Sequence, residues 1–366
     1  MASGADALIE EFIAKTRALD GKEVREREPW NSEATPDAIR HFAHGTDDDN
    51  PLWLDPAYAA QTPHGGLLAP PAFLVSVLYP ILHGAPVAAP LSSLIGGVEF
   101  EWRKRVRAGD KLRASSVQKE SYVKANKAGR KLIFVVSECT YRNQNGEAVA
   151  TAAGTMIRTL QQGTELLYER PIRKYSAEEM EKIAAAYKAE RRTGAERLCI
   201  EDVQVGDALP PMVRGPLTIG DMVAWNAGNG PSYKAGRRGY LDLEKAPHNA
   251  VAIPQIGIKV KNSQQHEDFN LAAQRGMPGP FDNGVMRFAW VSPFVTHWMG
   301  DEGFLKKLYV QVRRPMLYGD AIWYAGRITA KDEAARTVAV EITGANQEGE
   351  QATAGTALVE LPRRGR

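Results

Sequence analysis

In TDDDNPLWLD (46–55) three consecutive carboxylates, Asp47, Asp48 and Asp49, stand ahead of Asn50-Pro51. Such a run could hold a hard cation, cap a turn, or supply a general base. A calcium loop needs a glycine and a bidentate glutamate at fixed later positions, and neither follows. As a turn the stretch is well made: Asp48 and Asn50 favour turns ahead of a proline, and Asp55 is placed to N-cap a helix beginning at Pro56. An imidazole stands far downstream, His266 in KNSQQHED (261–268), where Asp268 is an N-cap candidate and the histidine has the alternative of simple exposure in a polar run. PFDNG (280–284) adds Asp282, Asn283 and Gly284. A carboxylate and an imidazole sharing one water perform acid–base chemistry, one withdrawing a proton while the other delivers one. A backbone N–H at a helix N-terminus stabilises an oxyanion that develops beside it.

The remaining reactive side chains point elsewhere. His297 falls in the last turn of an apolar helical segment, where the helix dipole favours a cation and a structural role. His41, His44, His64, His83 and His248 lack metal-ligand spacing and acidic or cysteine partners, so no metal is expected. Cys139 and Cys199 have no CxxC spacing and imply neither zinc nor a disulfide. Trp225, Trp290 and Trp298 read as core residues. KAGRRGY (234–240) carries Arg237 and Arg238, whose guanidinium forks suit phosphate oxygens. Arg313 and Arg314 alternate along a predicted strand, so at most one of them should face a ligand.

The elements that must position these residues come in two copies. NQNGEAVATAAGT (143–155) recurs as NQEGEQATAGT (346–356), and RVRAGDKLRAS (105–115) is answered by PMLYGDAIWYA (315–325). Each Gly-Asp follows an alternating stretch, FEWRK (100–104) or VQVRR (310–314), which reads as a strand entering a hairpin. TPDAIRHF (35–42) and TIGDMVAW (218–225) both start from a threonine N-cap. AFLVSVLYPIL after Pro71 and GVMRFAWVSPFV from Gly284 are apolar and helix-length, each with a proline nine residues on. The repeated unit is therefore a short helix, a loop, a longer apolar helix and an antiparallel meander, an α+β arrangement in which sheet wraps helix. Between the copies, Ser176 and Glu179 form a capping box on a charged helix, with Gly194 as a plausible C-cap.

The chain's 366 residues are 43% hydrophobic and 25% charged, enough for two domains with substantial cores. Forty-six basic and 44 acidic residues leave a net charge of +2, which gives no reason to invoke nucleic acid or a membrane surface. The first fifteen residues read as an amphipathic helix carrying Asp6, Glu10 and Glu11, not as a signal peptide. A cytoplasmic protein is expected.

These motifs resemble the MaoC-like dehydratases, the group that includes the (R)-specific enoyl-CoA hydratases, in a tandem double-hotdog form with a FAS1-type dehydratase-like N-terminal half. The family motif is D-x-N-P-[L/I]-H-x-D, with a glycine opening the central helix eighteen residues after the histidine. The first copy reads Asp48-Asp49-Asn50-Pro51-Leu52-Trp53-Leu54-Asp55, and eighteen residues after Trp53 stands Pro71, which has no N–H to offer. The second copy keeps His266-Glu267-Asp268 and reaches Gly284 at that spacing, but Lys261 occupies the carboxylate position.

What the resemblance implies is two tandem hotdog domains forming an intramolecular pseudo-dimer. An N-terminal domain over 1–165 has a degenerate motif, a linker covers 166–200, and a C-terminal domain over 201–366 has an insertion near 231–262 and carries the chemistry. The implied reaction is reversible addition of water to a trans-2-enoyl thioester, with coenzyme A as part of the substrate and no other cofactor. His266 is then the acid/base and the Gly284 N–H the oxyanion donor. Asn283, Asn50, Arg237 and Arg238 contact substrate. His266 works with Asp282, or with Asp48 across the domain interface, or the pair has been dismantled and the protein only binds acyl thioesters. A hotdog thioesterase using Asp282 is a further alternative. A homodimer of the double-hotdog chain is a possible assembly.

Overall fold

The structure, a computed structural model, describes residues 4–24, 28–81, 91–126, 129, 131–160, 170–231 and 234–365. The expected domain boundary at 165 and the residue His83 lie outside these. In the first half, α1 (Gly4–Arg17) lays Ile9, Phe12 and Ile13 against Ile133 of the sheet. The short edge strand β1 (Glu23–Val24) precedes α2 (Pro36–Gly45), whose first turn is capped by Thr35 Oγ1 accepting the Ala38 N–H at 3.1 Å. Two further short helices follow, α3 (Pro51–Leu54) capped by Asn50 and α4 (Pro56–Gln61) capped by Asp55. The meander is β2 (Leu91–Trp102), β3 (Arg113–Ala125), β4 (Lys131–Arg142) and β5 (Ala148–Leu160).

The connecting helix α5 (Ala177–Ala189) carries the expected Ser176–Glu179 capping box, but it stops at Glu190 and not at Gly194. The second half then opens with β6 (Met212–Arg214) and α6 (Ile219–Asn229), capped by Thr218. The insertion folds as α7 (Gly236–Lys245) and a hairpin of β7 (Ala250–Ile253) and β8 (Ile258–Lys261). A 3₁₀ turn (Asn262–His266), α8 (Phe269–Gln274) and the long α9 (Gly284–Met299) lead into β9 (Phe304–Val312), β10 (Ile322–Asp332), β11 (Thr337–Asn346) and β12 (Gln351–Glu360).

Among the described residues, ten strands form one antiparallel sheet in the order β1-β3-β4-β5-β2-β9-β12-β11-β10-β6. The halves meet edge to edge at β2 and β9, with Gly97 opposite Gln311 and Val98 opposite Val310. The fold class is α+β, two tandem hotdog units sharing a sheet that curls around α9. Phe100 and Trp102 on β2, Tyr141 on β4 and Phe288 on α9 stack, the Phe100 and Phe288 rings lying 5.0 Å apart, so the core is continuous across the seam.

Equivalent residues of the two copies also touch each other. A Cβ on Gly45 would lie 2.6 Å from the Ala224 carbonyl oxygen, and one on Gly228 would lie 2.6 Å from that of His41. Glycine is therefore needed at both points for α2 and α6 to cross this closely. The matching turns are built alike as well: Asn143 Oδ1 accepts the N–H groups of Asn145 and Glu147, and Asn346 Oδ1 those of Glu348 and Glu350.

The central helices are unequal. The sequence predicts two, but Pro71–Ser76 is a six-residue 3₁₀ turn. The Tyr141 hydroxyl donates to the Leu78 carbonyl at 2.7 Å and the Ser137 hydroxyl to that of Pro80 at 2.6 Å. These bonds tie the carbonyls of the non-helical stretch after the turn to strand β4. In α9 every residue from Val285 to Met299 is buried, and this enclosure holds a sixteen-residue helix together despite Pro293.

Candidate functional site

One cavity of about 1670 Å³ lies between the N-terminus of α9, the 3₁₀ turn ending at His266, the insertion and the strands β2 and β5. Both halves line it: Tyr79, Ile95 and Arg158 come from the first, and His266, Glu267, Asn283 and Gly284 from the second.

His266 is fixed by its Nδ1, 2.8 Å from the Phe281 carbonyl, and by an edge-on contact with the Phe281 ring at 4.7 Å. A carbonyl only accepts, so Nδ1 carries the proton and Nε2 presents its lone pair. Burial pushes the imidazole pKa below its ordinary 6.5, and the nearby Arg275 charge adds to that, against the bond to Phe281. Neutral His266 is thus a base at pH 7.

Gly284 is the first residue of α9, and Asn283 is its cap. Asn283 Oδ1 accepts the Val285 N–H at 3.1 Å and the Tyr79 hydroxyl, so the first half helps to set the cap. A Cβ on Gly284 would lie 2.7 Å from Ile95 Cβ. The helix can start against β2 only with glycine there, and its leading N–H groups carry the positive end of the helix dipole.

Asp282 lines the same cavity but is committed elsewhere. Its Oδ2 accepts from Arg287 Nε at 3.0 Å and Nη2 at 2.7 Å, and its Oδ1 accepts the Met316 N–H at 2.8 Å. Burial pushes its carboxyl pKa up and the fully buried Arg287 guanidinium pulls it back. With both oxygens occupied, Asp282 is placed as the counter-ion of Arg287, and the pair anchors α9 to β12 through Arg287 Nη1 and Thr353 Oγ1 at 2.7 Å.

Asp48 and Asn50 are not in this cavity. Asn50 caps α3 by accepting the Leu52 N–H at 3.0 Å, and Trp53 is buried in the core. Asp48 Oδ1 lies 3.2 Å from His297 Nε2, His297 Nδ1 lies 3.1 Å from Glu190 Oε1, and Arg214 joins Glu190 at 2.9 Å and Asp47 at 3.1 Å. Burial pulls the His297 pKa down, but hydrogen bonds to Asp48 and Glu190 outweigh it and raise it to about 9. Burial likewise works against ionised Glu190, and its bonds to His297 and Arg214 bring its pKa down to about 2. The first copy's carboxylate thus pairs with a protonated histidine from the second copy's central helix. Asp48 and His266 do not meet.

Of the two arginines in KAGRRGY, Arg238 lines the cavity and Arg237 does not. Strand β9 ends at Val312, so Arg313 and Arg314 escape the alternation and both reach the cavity, contrary to the expectation for a continuing strand. Glu267, to which no sequence motif assigns a role, also lines the cavity. Its Oε1 accepts from Asn226 Nδ2 at 2.7 Å, while its buried Oε2 has no hydrogen-bond partner among the described residues. Burial pushes its pKa above the ordinary 4.5. The available signal was its place beside His266, in the unspecified position between histidine and the Asp268 cap. Among the described residues, no three histidine, cysteine or carboxylate side chains are arranged to hold a metal ion. No helix among them is long and apolar enough to cross a membrane.

Residues 21–152 match the family model described as FAS1-like, dehydratase domain region. A UPF0336 protein of Streptomyces avermitilis is 26% identical over 150 residues, 40% of this chain and 95% of the relative. One from Saccharopolyspora erythraea is 34% identical over 125 residues, 32% of this chain and 76% of the relative. Among solved structures, a MaoC-like dehydratase aligns with a TM-score of 0.66 at 20% identity, covering 94% of this chain and 99% of the other. A Mycobacterium tuberculosis protein described as having a double hotdog fold aligns with a TM-score of 0.54 at 10% identity over 93% and 96% of the two chains. The chain therefore belongs to the UPF0336 family through its first half, and the whole chain shares the double-hotdog fold of these solved structures.

Proposed function

We propose that the chain catalyses reversible hydration of trans-2-enoyl thioesters, with coenzyme A as the acyl carrier and the second half holding the reacting atoms. The observation that carries this reading is the placement of neutral His266, its Nδ1 on the Phe281 carbonyl, in the same cavity as the N-terminus of α9 at Gly284. In the hydration direction His266 Nε2 withdraws a proton from water as its oxygen bonds to C3. The electron pair moves toward the thioester oxygen, where the Gly284 N–H and the helix dipole stabilise the developing charge.

The surroundings suit such a ligand. A cavity near 1670 Å³ exceeds the usual ~300–1,000 Å³ of small-molecule pockets and accommodates an acyl chain with its carrier arm. Lys234, Arg238, Arg313 and Arg314 are exposed and also line it, and this positive charge supports a reading in which the ligand carries phosphate groups. Asn283, locked between Tyr79 and Val285, orients the helix terminus that receives the thioester.

The thioesterase alternative loses its base, since Asp282 is held by Arg287. The non-catalytic alternative is favoured by one observation, Lys261 in the position of the family carboxylate. Incubation with enoyl-CoA esters of graded chain length, following loss of the conjugated-thioester absorbance, separates the two. Turnover that disappears in His266→Ala supports the hydratase; measurable binding with every ester left unsaturated establishes the binding protein instead.

A further inference from the structure

We infer that Glu267 is the second acid/base of this site, the group that exchanges a proton with C2 of the thioester while His266 handles the water. The inference rests on the hydratase reading above. It answers a need that reading leaves open, because one imidazole poised as a base does not also protonate carbon.

Three other positions could have met the need, and none of them supplies a free carboxyl group. Lys261 stands where the family carboxylate would. Asp282 has both oxygens engaged by Arg287 and the Met316 N–H. Asp48 lies in the buried network with His297. Glu267 lines the cavity, follows His266 in the chain at the end of the same 3₁₀ turn, and is anchored at one oxygen only. Asn226, from α6, holds Oε1 at 2.7 Å, while Oε2 is buried and without a partner among the described residues. A buried carboxylate oxygen without a hydrogen-bond partner among the described residues is costly to keep ionised, whereas a carboxyl O–H there is a ready proton donor. Burial accordingly favours the protonated form. A carboxyl group raised toward neutrality beside a neutral imidazole is the division of labour that general acid–base pairs need.

In the hydration direction the step balances. Water oxygen bonds to C3 as His266 Nε2 takes one of its protons, the C2–C3 π pair shifts through an enolate, and Glu267 gives its proton to C2. The product is the 3-hydroxyacyl thioester. The imidazolium proton then returns to the Glu267 carboxylate through solvent, restoring both groups. Dehydration runs the same transfers backwards.

The test compares wild type with Glu267→Gln, Glu267→Asp and Asn226→Leu, each checked for folding by circular dichroism and thermal melting. Glu267→Gln should lower kcat by about 100-fold or more, as loss of a positioned acid does, with KM changed only a few-fold. Its hydration rate should also lose the fall at high pH that deprotonation of Glu267 imposes on wild type. Glu267→Asp keeps the acid on a shorter stem and should recover part of the rate. Asn226→Leu removes a hydrogen bond that favours the carboxylate, so that high-pH fall should move to higher pH, a change a purely structural role for Glu267 would not produce. Glu267→Gln with more than a third of wild-type kcat and an unmoved pH profile would overturn this inference while leaving the hydratase reading intact. Wild type that turns over none of the esters overturns both.

Discussion

The two loops that precede the two central segments have the same plan and opposite fates. In the first half, Asn50 and Asp55 cap short helices, Trp53 fills core, and Asp48 is drawn into a closed charge network; the carbonyl of Pro71 accepts the Trp102 indole N–H at 3.0 Å. In the second half, Asp268 caps in the same way, but the insertion stands off the sheet, His266 lines a cavity, and a glycine opens α9. Capping survives in both because it is local and satisfies backbone groups at any helix start. The residues between the caps differ because only one copy keeps space beside them. Duplication lets one half be filled for stability while the other stays hollow for a ligand.

That contrast breaks first at its reactive end. His266→Ala should reduce hydration kcat by about 10²–10⁴-fold, the range for loss of a general base, whereas Asp48→Asn should leave turnover per folded molecule unchanged. A steady-state assay on the two variants side by side checks it, and equal losses would place the chemistry at the domain interface instead. Next comes the ion pair behind α9. Asp282→Ala leaves the guanidinium of Arg287 buried without its counter-ion, and denaturant unfolding should show a loss of about 3–5 kcal/mol.

The filled half should announce itself through pH. Protonated His297, with a folded pKa of about 9 against an ordinary 6.5, stabilises the fold fully below pH 6.5, and the contribution is lost as pH rises through 9. On the order of 3 kcal/mol is at stake. Melting temperatures between pH 6 and 10 should fall along this limb, and His297→Gln should flatten it. The smallest effect belongs to a cap: Asn50→Ala should cost about 1 kcal/mol in equilibrium unfolding and nothing in activity.

What the sequence made legible follows the range of the interactions involved. Thr35, Asp55, Ser176, Thr218 and Asp268 act on backbone two or three residues away, and all five cap as their spacing implies. The paired Gly-Asp and Asn-turn motifs exposed the duplication, and with it the shared sheet. The short first central turn was not legible, because the chain after it is held by Tyr141 and Ser137 of β4, about sixty residues downstream. His297 and Asp48 are 249 positions apart, so no local pattern joins them. Glu267 was overlooked because its worth depends on Asn226, across an insertion whose course no periodicity reveals.

The seam between β2 and β9 also sets a timetable. Roughly two hundred residues separate the end of β2 from the start of β9, and at ~5–20 residues per second a ribosome needs about ten to forty seconds to bridge them. Throughout that interval the emerging first half carries a bare strand edge, the feature that invites pairing with other chains. For the tandem chain, slowing synthesis between the halves should increase aggregation, and supplying the second half early should suppress it.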